Sequence, residues 1–425
     1  MDYTLVTLPN GLRLITAPMS HLRSVSVECF FAVGSRYESP QLAGVSHFIE
    51  HMLFKGSENY PTAQAISETI EGVGGILDAA TDREVTAYSA KVASRHLELA
   101  LELLADMILR PRFDATELEK ERRVIVEELS MYHDSPQDWV HILADETLWP
   151  GGTPLGRDVA GTRESVQSIS REAMIEYKTS HYTPGALVIG VAGDITHEAV
   201  LALVERLFGA WEAAPAATWE PCPPPLDTKR VTFERRETEQ ANLSLIMPGI
   251  AHDAPDYYDL VVLNAILGDG MSSRLFQRVR EEQGLAYDVG SGAIHYRDTG
   301  AFVVTAGVEP SHTTEALESI LSELARMRDE PVSEAELTRA REYARGRTTL
   351  RLEDTRSVAS WLGGQEILLN HIVDLDEVLE ELGRVTAERV QRLAEKLFRD
   401  EWLRLALVGP HGSEREYDEL LHLPS

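Results

Sequence analysis

A chain of 425 residues is too long for one hydrophobic core, so two or more domains are expected. Its 43% hydrophobic and 26% charged residues are those of an ordinary globular protein. A formal net charge of −29 argues against nucleic-acid binding, because phosphate backbones reward clustered Lys and Arg. With only Cys29 and Cys222 there is neither a disulfide framework nor a cysteine zinc knuckle. The opening "MDYTLVTLPNGLRL" has no basic region followed by an apolar stretch, so no signal peptide is expected. No apolar run approaches the roughly 20 residues needed to cross a bilayer. The expectation is a cytoplasmic protein with no membrane role.

In chain order the first half reads as a strand "SVSVECFFAV", a helix "AGVSHFIEHMLF" and a second helix from about Thr62 to Gly72. Strands "GGILDAAT" and "EVTAYSAKVA" follow, then the helices "RHLELALELLADMIL" and "TELEKERRVIVEELSMY". The stretch 212–227, "EAAPAATWEPCPPPLD", carries repeated prolines that continue neither a helix nor a central strand. It reads as a linker between a first domain, 1–211, and a second, 228–425.

The second half repeats the order: "ANLSLIMPGI", helix "YDLVVLNAILG", "SRLFQRVREEQG", strands "AYDVGSGAIHY" and "GAFVVTAGVE", and helix "TTEALESILSELARM". A shift of about 216 positions aligns the two series, which points to an internal duplication. Helices and hairpin-like strands in mixed order predict an α+β class with two tandem, similar domains. Each is expected to be a mostly antiparallel sheet with helices on one face.

The chemistry-bearing stretch is "HFIEH". His47 and His51, four apart on a helix, share a face and can present both imidazoles to one point. Zinc favours such nitrogen donors, and a catalytic zinc takes three protein ligands plus a water. Glu50 would stand beside that water as general base. The spacing is the reverse of H-E-x-x-H. Shifted by about 216, the trio lands on Leu263, Ile266 and Leu267. The scaffold therefore needs only an apolar face there, and the polar trio is an addition to it. The third ligand belongs among the carboxylates of 116–132. Glu121 and Glu128, seven apart, share a helix face, whereas Glu117, Glu119 and Glu127 read as solvated charges. Spacing alone does not choose Glu128 over Glu127.

The H-x-x-E-H motif followed by 76 residues and a Glu resembles the signature of the M16 zinc peptidases, the pitrilysin, insulin-degrading and mitochondrial-processing group. "ERRVIVEELSMYHDSP", "LPNGLRLITAP", "PLGRDVAGT" and "HYTPGALVIGVAGDI" are similar to recurring family segments, so the resemblance spans the chain. It implies that Glu128 is the third ligand, with one Zn2+ per chain, and that Glu121 is a supporting carboxylate. "RLFQRVREEQGLAYDVGSG" resembles the segment whose Arg and Tyr, here Arg280 and Tyr287, serve substrate binding and catalysis. "GGILDAAT" resembles the family's substrate-pairing edge strand, which implies peptide contacts by Asp78, Ala79 and Thr81. Asp78 stands where the family often has Asn. An ionised Asp only accepts hydrogen bonds, which implies a shift toward basic side chains in the substrate.

The resemblance thus implies a zinc endopeptidase of the smaller M16 type, acting on peptides or unfolded segments inside a closed chamber. It implies a homodimer, a heterodimer with a paralogue being the alternative. Two rival readings are a non-catalytic partner subunit or scaffold and a dedicated precursor-processing protease.

Overall fold

The computed structural model describes residues 1–149, 152–222 and 229–424, so the prolines and neighbours at 223–227 of the expected linker lie outside the described residues. The chain forms two compact units. The first contains Met1–Leu129, Asp158–Glu220 and Thr349–Asp374. The second contains Ser130–Arg157, Pro221–Thr348 and Leu375–Ser425.

The first unit is built on a six-stranded sheet of β1 (Thr4–Thr7), β2 (Arg13–Pro18), β3 (Ser24–Phe31), β4 (Ile76–Thr81), β5 (Thr86–Ala93) and β6 (Leu187–Gly193). Their order is β1-β2-β6-β3-β5-β4. All neighbours are antiparallel except β2 and β6. Alternation sorts β3 between two faces. Val25, Val27, Cys29 and Phe31 enter the core beneath helices α1 (Val45–Leu53), α2 (Ala63–Glu71) and α3 (Leu97–Leu109). Ser26, Glu28 and Phe30 face the other way, toward the helix Thr355–Leu369. That helix comes so close that a Cβ on Gly190 would sit 2.7 Å from the Ala359 carbonyl oxygen.

The second unit holds β7 (Val231–Arg235), β8 (Ala241–Pro248), β9 (Ala286–His295), β10 (Gly300–Val308) and β11 (Arg404–Gly409). They run in the order β7-β11-β8-β10-β9. Only β7 and β11 are parallel. Strand for strand, this matches β2-β6-β3-β5-β4 in order and sense, as the duplication predicts. The helix at the place of α1, Tyr257–Leu267, buries Leu263, Ile266 and Leu267 completely or nearly so.

The α+β class and the paired, largely antiparallel sheets agree with the sequence reading. Most helices of each unit lie on one sheet face, and among the described residues each sheet also carries a helix on the other. These covering helices depart from the simple division at 212–227. The one on the first sheet is Thr355–Leu369, from the second half of the chain. The one on the second sheet is Pro136–Leu148, from the first half, where Val140, Leu143 and Ala144 meet Ile246, Val303 and Val408. Residue periodicity marks a helix but not the sheet it covers, so the local division missed this reciprocal exchange.

Candidate functional site

Helix α1 begins at Gly44, whose φ of 89° suits glycine and whose Cβ, were there one, would lie 2.4 Å from the Ala160 carbonyl oxygen. Glycine brings no capping side chain. The carboxylate of Glu38 takes that part, accepting the N–H groups of Gly44 at 2.8 Å and Ser46 at 2.7 Å. Because Glu38 is buried, losing its charge leaves two donors poorly served. Glu38→Gln should lower stability by about 1.5–3 kcal/mol, the worth of charged hydrogen bonds. Thermal melting of the metal-free protein measures this, and an unchanged midpoint would assign the capping to other groups.

The apolar side of α1, Val45, Phe48, Ile49, Met52 and Leu53, is fully buried. The opposite side leaves His47, Glu50 and His51 half-buried. Facing them is α4 (Ala115–Asp134), on which Leu118, Glu121 and Ile125 are buried. Glu128 lies on that same side, half-buried, while Glu127 is exposed. Of the two carboxylates that spacing left open, Glu128 is the one brought to the histidines: His47, His51 and Glu128 hold ligand atoms within 4.8 Å of one another. Nε2 of His51 is 3.6 Å and Nε2 of His47 is 3.9 Å from Oε2 of Glu128. Tetrahedral zinc with bonds of ~2.1 Å places its donors about 3.4 Å apart, so the set fits the metal with small adjustments. Among the described residues this is the one cluster of its kind.

The two imidazoles differ in what lies behind them. His51 Nδ1 is 3.0 Å from Oε2 of Glu121, whose other oxygen is 2.6 Å from Lys55 Nζ. Burial raises Glu121, but the hydrogen bonds from His51 and Lys55 outweigh it and hold the carboxyl below its ordinary range. His47 Nδ1 is buried without a hydrogen-bond partner among the described residues. Burial, with the neighbouring His51, pushes His47 down to about 4, so its ring is neutral at pH 7 and offers a lone pair to a metal.

Glu50 accepts a hydrogen bond of 2.5 Å from Thr81 Oγ1. Burial raises the Glu50 carboxyl, against the lowering by Thr81 and His51. A raised carboxyl is a better proton acceptor near neutral pH.

β4 is an edge strand, paired among the described residues with β5 alone. Leu77, Ala79 and Thr81 are the half-buried positions of its alternation, and Ile76, Asp78 and Ala80 the exposed ones. Thr81 and Ala79 therefore share a face with Glu50, but Asp78 does not. Its carboxylate meets the guanidinium of Arg356 at 2.7 Å. Arg356 also lies 3.4 Å from buried Glu28, which burial pushes up to about 7 despite that cation. The expected contact of Asp78 with basic substrate side chains finds no support in this placement.

In the second unit, Arg280 belongs to a π-helical turn, Phe276–Glu282, a local irregularity that often marks functional segments. Tyr287, second in β9, is 75% exposed, so it is not a packing residue. The Arg280 guanidinium lies 4.7 Å from the centre of the Phe276 ring and 5.3 Å from that of Tyr287.

Sequence reasoning missed Glu38 and Lys55. Glu38 caps from six residues away, outside any capping-box spacing. Lys55 was detectable in principle, standing four residues after His51 on the side of Glu121.

Comparison with known proteins identifies the family. The family model described as insulinase (peptidase family M16) matches residues 15–163, which hold the cluster. The one described as peptidase M16 inactive domain matches 168–343, which hold Leu263, Ile266 and Leu267 at the duplicated positions. The chain is 39% identical to the uncharacterized zinc protease YmxG of Bacillus subtilis, over 96% of this chain and 98% of that protein. It is 36% identical to the uncharacterized zinc protease ML0855 of Mycobacterium leprae, over 98% and 94% respectively. A protease from Helicobacter pylori shares the fold with a TM-score of 0.89 at 22% identity, over 96% of this chain and 99% of that one. A Pseudomonas fluorescens structure described as a peptidase M16 inactive domain does so with a TM-score of 0.88 at 21% identity, over 97% and 99%. With a two-part match along its length and relatives of this closeness, the chain belongs to peptidase family M16.

Proposed function

We propose that the chain is a zinc-dependent endopeptidase that hydrolyses peptides or unfolded segments. The observation that carries the reading is the convergence of His47, His51 and Glu128, with Glu50 on the same helix face. The names of the relatives, zinc proteases, support it. A zinc held by the three residues supplies a Lewis acid that polarises a carbonyl and acidifies water. Glu50 accepts the proton from the attacking water and delivers it to the departing amine. Thr81, donating to Glu50, fixes which carboxylate oxygen is free to do so. Ala79 and Thr81, on a strand edge with no partner among the described residues, offer main-chain hydrogen bonds to an extended peptide, which tolerates varied side chains. Arg280 and Tyr287 offer a cation and a hydroxyl to a substrate carbonyl.

A closed chamber, homodimeric assembly and a cytoplasmic location belong to the same proposal and rest on the family resemblance and the sequence reading. Among the described residues no helix is long and apolar enough to cross a membrane. The test is zinc content with cleavage of a mixed peptide library, with and without a chelator. About one zinc per chain and chelator-sensitive cleavage support the reading; a metal-free protein that stays inactive when zinc is added sinks it in favour of a non-catalytic scaffold. Tyr287→Phe should lower turnover about 10²-fold, the loss on removing one oxyanion donor, at unchanged zinc content. Equal turnover of the two proteins would leave Tyr287 outside the chemistry.

A further inference from the structure

Two side chains of one helix end grip a single carboxylate on another helix. His51 and, four residues later, Lys55 both reach Glu121, at 3.0 and 2.6 Å, one to each oxygen. Lys55 stands in the turn just past α1, its main-chain N–H donating to the Met52 carbonyl. Glu121 is nearly buried, with 7% of its side chain exposed, and Lys55 is mostly covered at 26%. The grip matters because Glu121 is one of the three buried residues that dock α4, with Leu118 and Ile125. Val126 and Leu129 pack partly buried against the same core, and Arg122 donates to the Val166 and Ile169 carbonyls. Glu128 lies two helical turns beyond Glu121 on the same side.

We infer that Lys55 is a positioning residue for the metal site, acting through Glu121. By neutralising and anchoring one oxygen of Glu121, it leaves the other aimed at His51 Nδ1. That acceptor fixes the Nδ1–H form of His51 and turns its Nε2 lone pair toward His47 and Glu128. The same anchor sets the register of α4 against α1, and with it the place of Glu128. Groups that orient a metal ligand from behind typically change metal affinity about 10–100-fold when removed. A competing account is purely structural: a cation past a helix C-terminus also complements the helix dipole. The two accounts differ in whether the effect passes through Glu121.

The inference rests on the zinc reading above, and its test separates the two. Zinc affinity is measured by chelator competition on the wild type, K55M, K55R, E121Q and the double variant K55M/E121Q. K55M should bind zinc about 10–100-fold more weakly, and K55R, which keeps the cation, should recover most of the loss. In the E121Q background K55M should cause little further change. Nitrogen-15 spectra of the metal-free protein give a second readout, independent of zinc. His51 should be in the Nδ1–H form in the wild type and a tautomer mixture in K55M. If K55M folds poorly, K55Q, which keeps a polar head without the charge, takes its place in the same cycle. Wild-type zinc affinity retained in K55M, or additive losses in the double variant, would overturn the role of Lys55 and leave the zinc reading standing. A wild type that binds no zinc would instead overturn the zinc reading itself.

Discussion

Replacing Glu50 by glutamine should abolish peptide hydrolysis, leave zinc in place and raise the stability of the metal-free protein. The three effects follow from one carboxylate. The amide of the E50Q variant cannot take a proton from water, and loss of a general base costs about 10²–10⁴-fold in rate. The ligand set of His47, His51 and Glu128 does not include Glu50, so metal content should hold. The amide oxygen can still accept from Thr81 Oγ1, so the local geometry has no reason to collapse. Stability moves the other way. Burial raises the Glu50 carboxyl above its ordinary value, so the folded state favours the protonated form and the ionised form is held at a cost. That cost is absent in acid, sets in as pH passes the ordinary carboxylate value and is complete above the raised one. The gain of E50Q should therefore appear at neutral pH and vanish in acid. Metal analysis, peptide cleavage and melting at two pH values read all three. Retained cleavage would mean that another group is the base. A lower melting point at neutral pH would mean that contacts beyond Thr81 and His51 offset the burial of the charge.

The second large effect concerns where the chain can be cut. A fragment of residues 1–211, the domain that local sequence patterns suggest, should fail to fold cooperatively, although it holds all six strands of its sheet and the metal cluster. It lacks Thr355–Leu369, which packs on that sheet and buries Val358, Leu362 and Ile367. Without the helix, the burial of three such side chains, worth ~1.5–3 kcal/mol each, is lost, a sum comparable with the whole stability of a domain, about 5–15 kcal/mol. Polar contacts go with it: Thr355 with Ser26 at 2.9 Å, Glu366 with Arg13 at 2.8 Å, and Arg356 with Asp78 at 2.7 Å. Glu28, now buried, would lose the Arg356 guanidinium beside it. A segment covering 349–374, added in trans, should restore near-UV dichroism and a sharp melt. A fragment 1–211 that melts cooperatively unaided would show the covering helix to be dispensable.

Much of this was legible in the sequence because it is local. Alternation marked β3, β5, β8 and β10 within a residue or two, and helical spacing marked α1, α3 and α4. The apolar Leu263, Ile266 and Leu267 showed that the first-half trio is not demanded by the scaffold. What escaped was set by distant partners. Asp78 was given a substrate contact by the resemblance of "GGILDAAT" to the family's edge strand, and a strand sequence does not tell which distant helix will meet each side. Arg356, 278 positions later, pairs with its carboxylate. Glu38 escaped because its capping role depends on the backbone path from 38 to 44. The third ligand lay between. Helix spacing reached Glu121 and Glu128, the family pattern selected Glu128, and the exposure of Glu127 on the neighbouring face gives the physical reason to prefer it.

The exchanged helices also bear on how the protein is made. His47, Glu50, His51 and Glu128 are synthesised more than 200 residues before Thr349–Asp374, and until then the sheet beneath them stays uncovered on one face. At about 5–20 residues per second, the interval from Glu128 to that segment is roughly 10–50 s. Through it, the apolar Phe30 and the polar Glu28 and Ser26 stand open to solvent or to a chaperone. The candidate metal-binding residues are thus made long before the sheet that carries them can hold its shape. The late helix defers a finished site until the 349–374 segment has been translated.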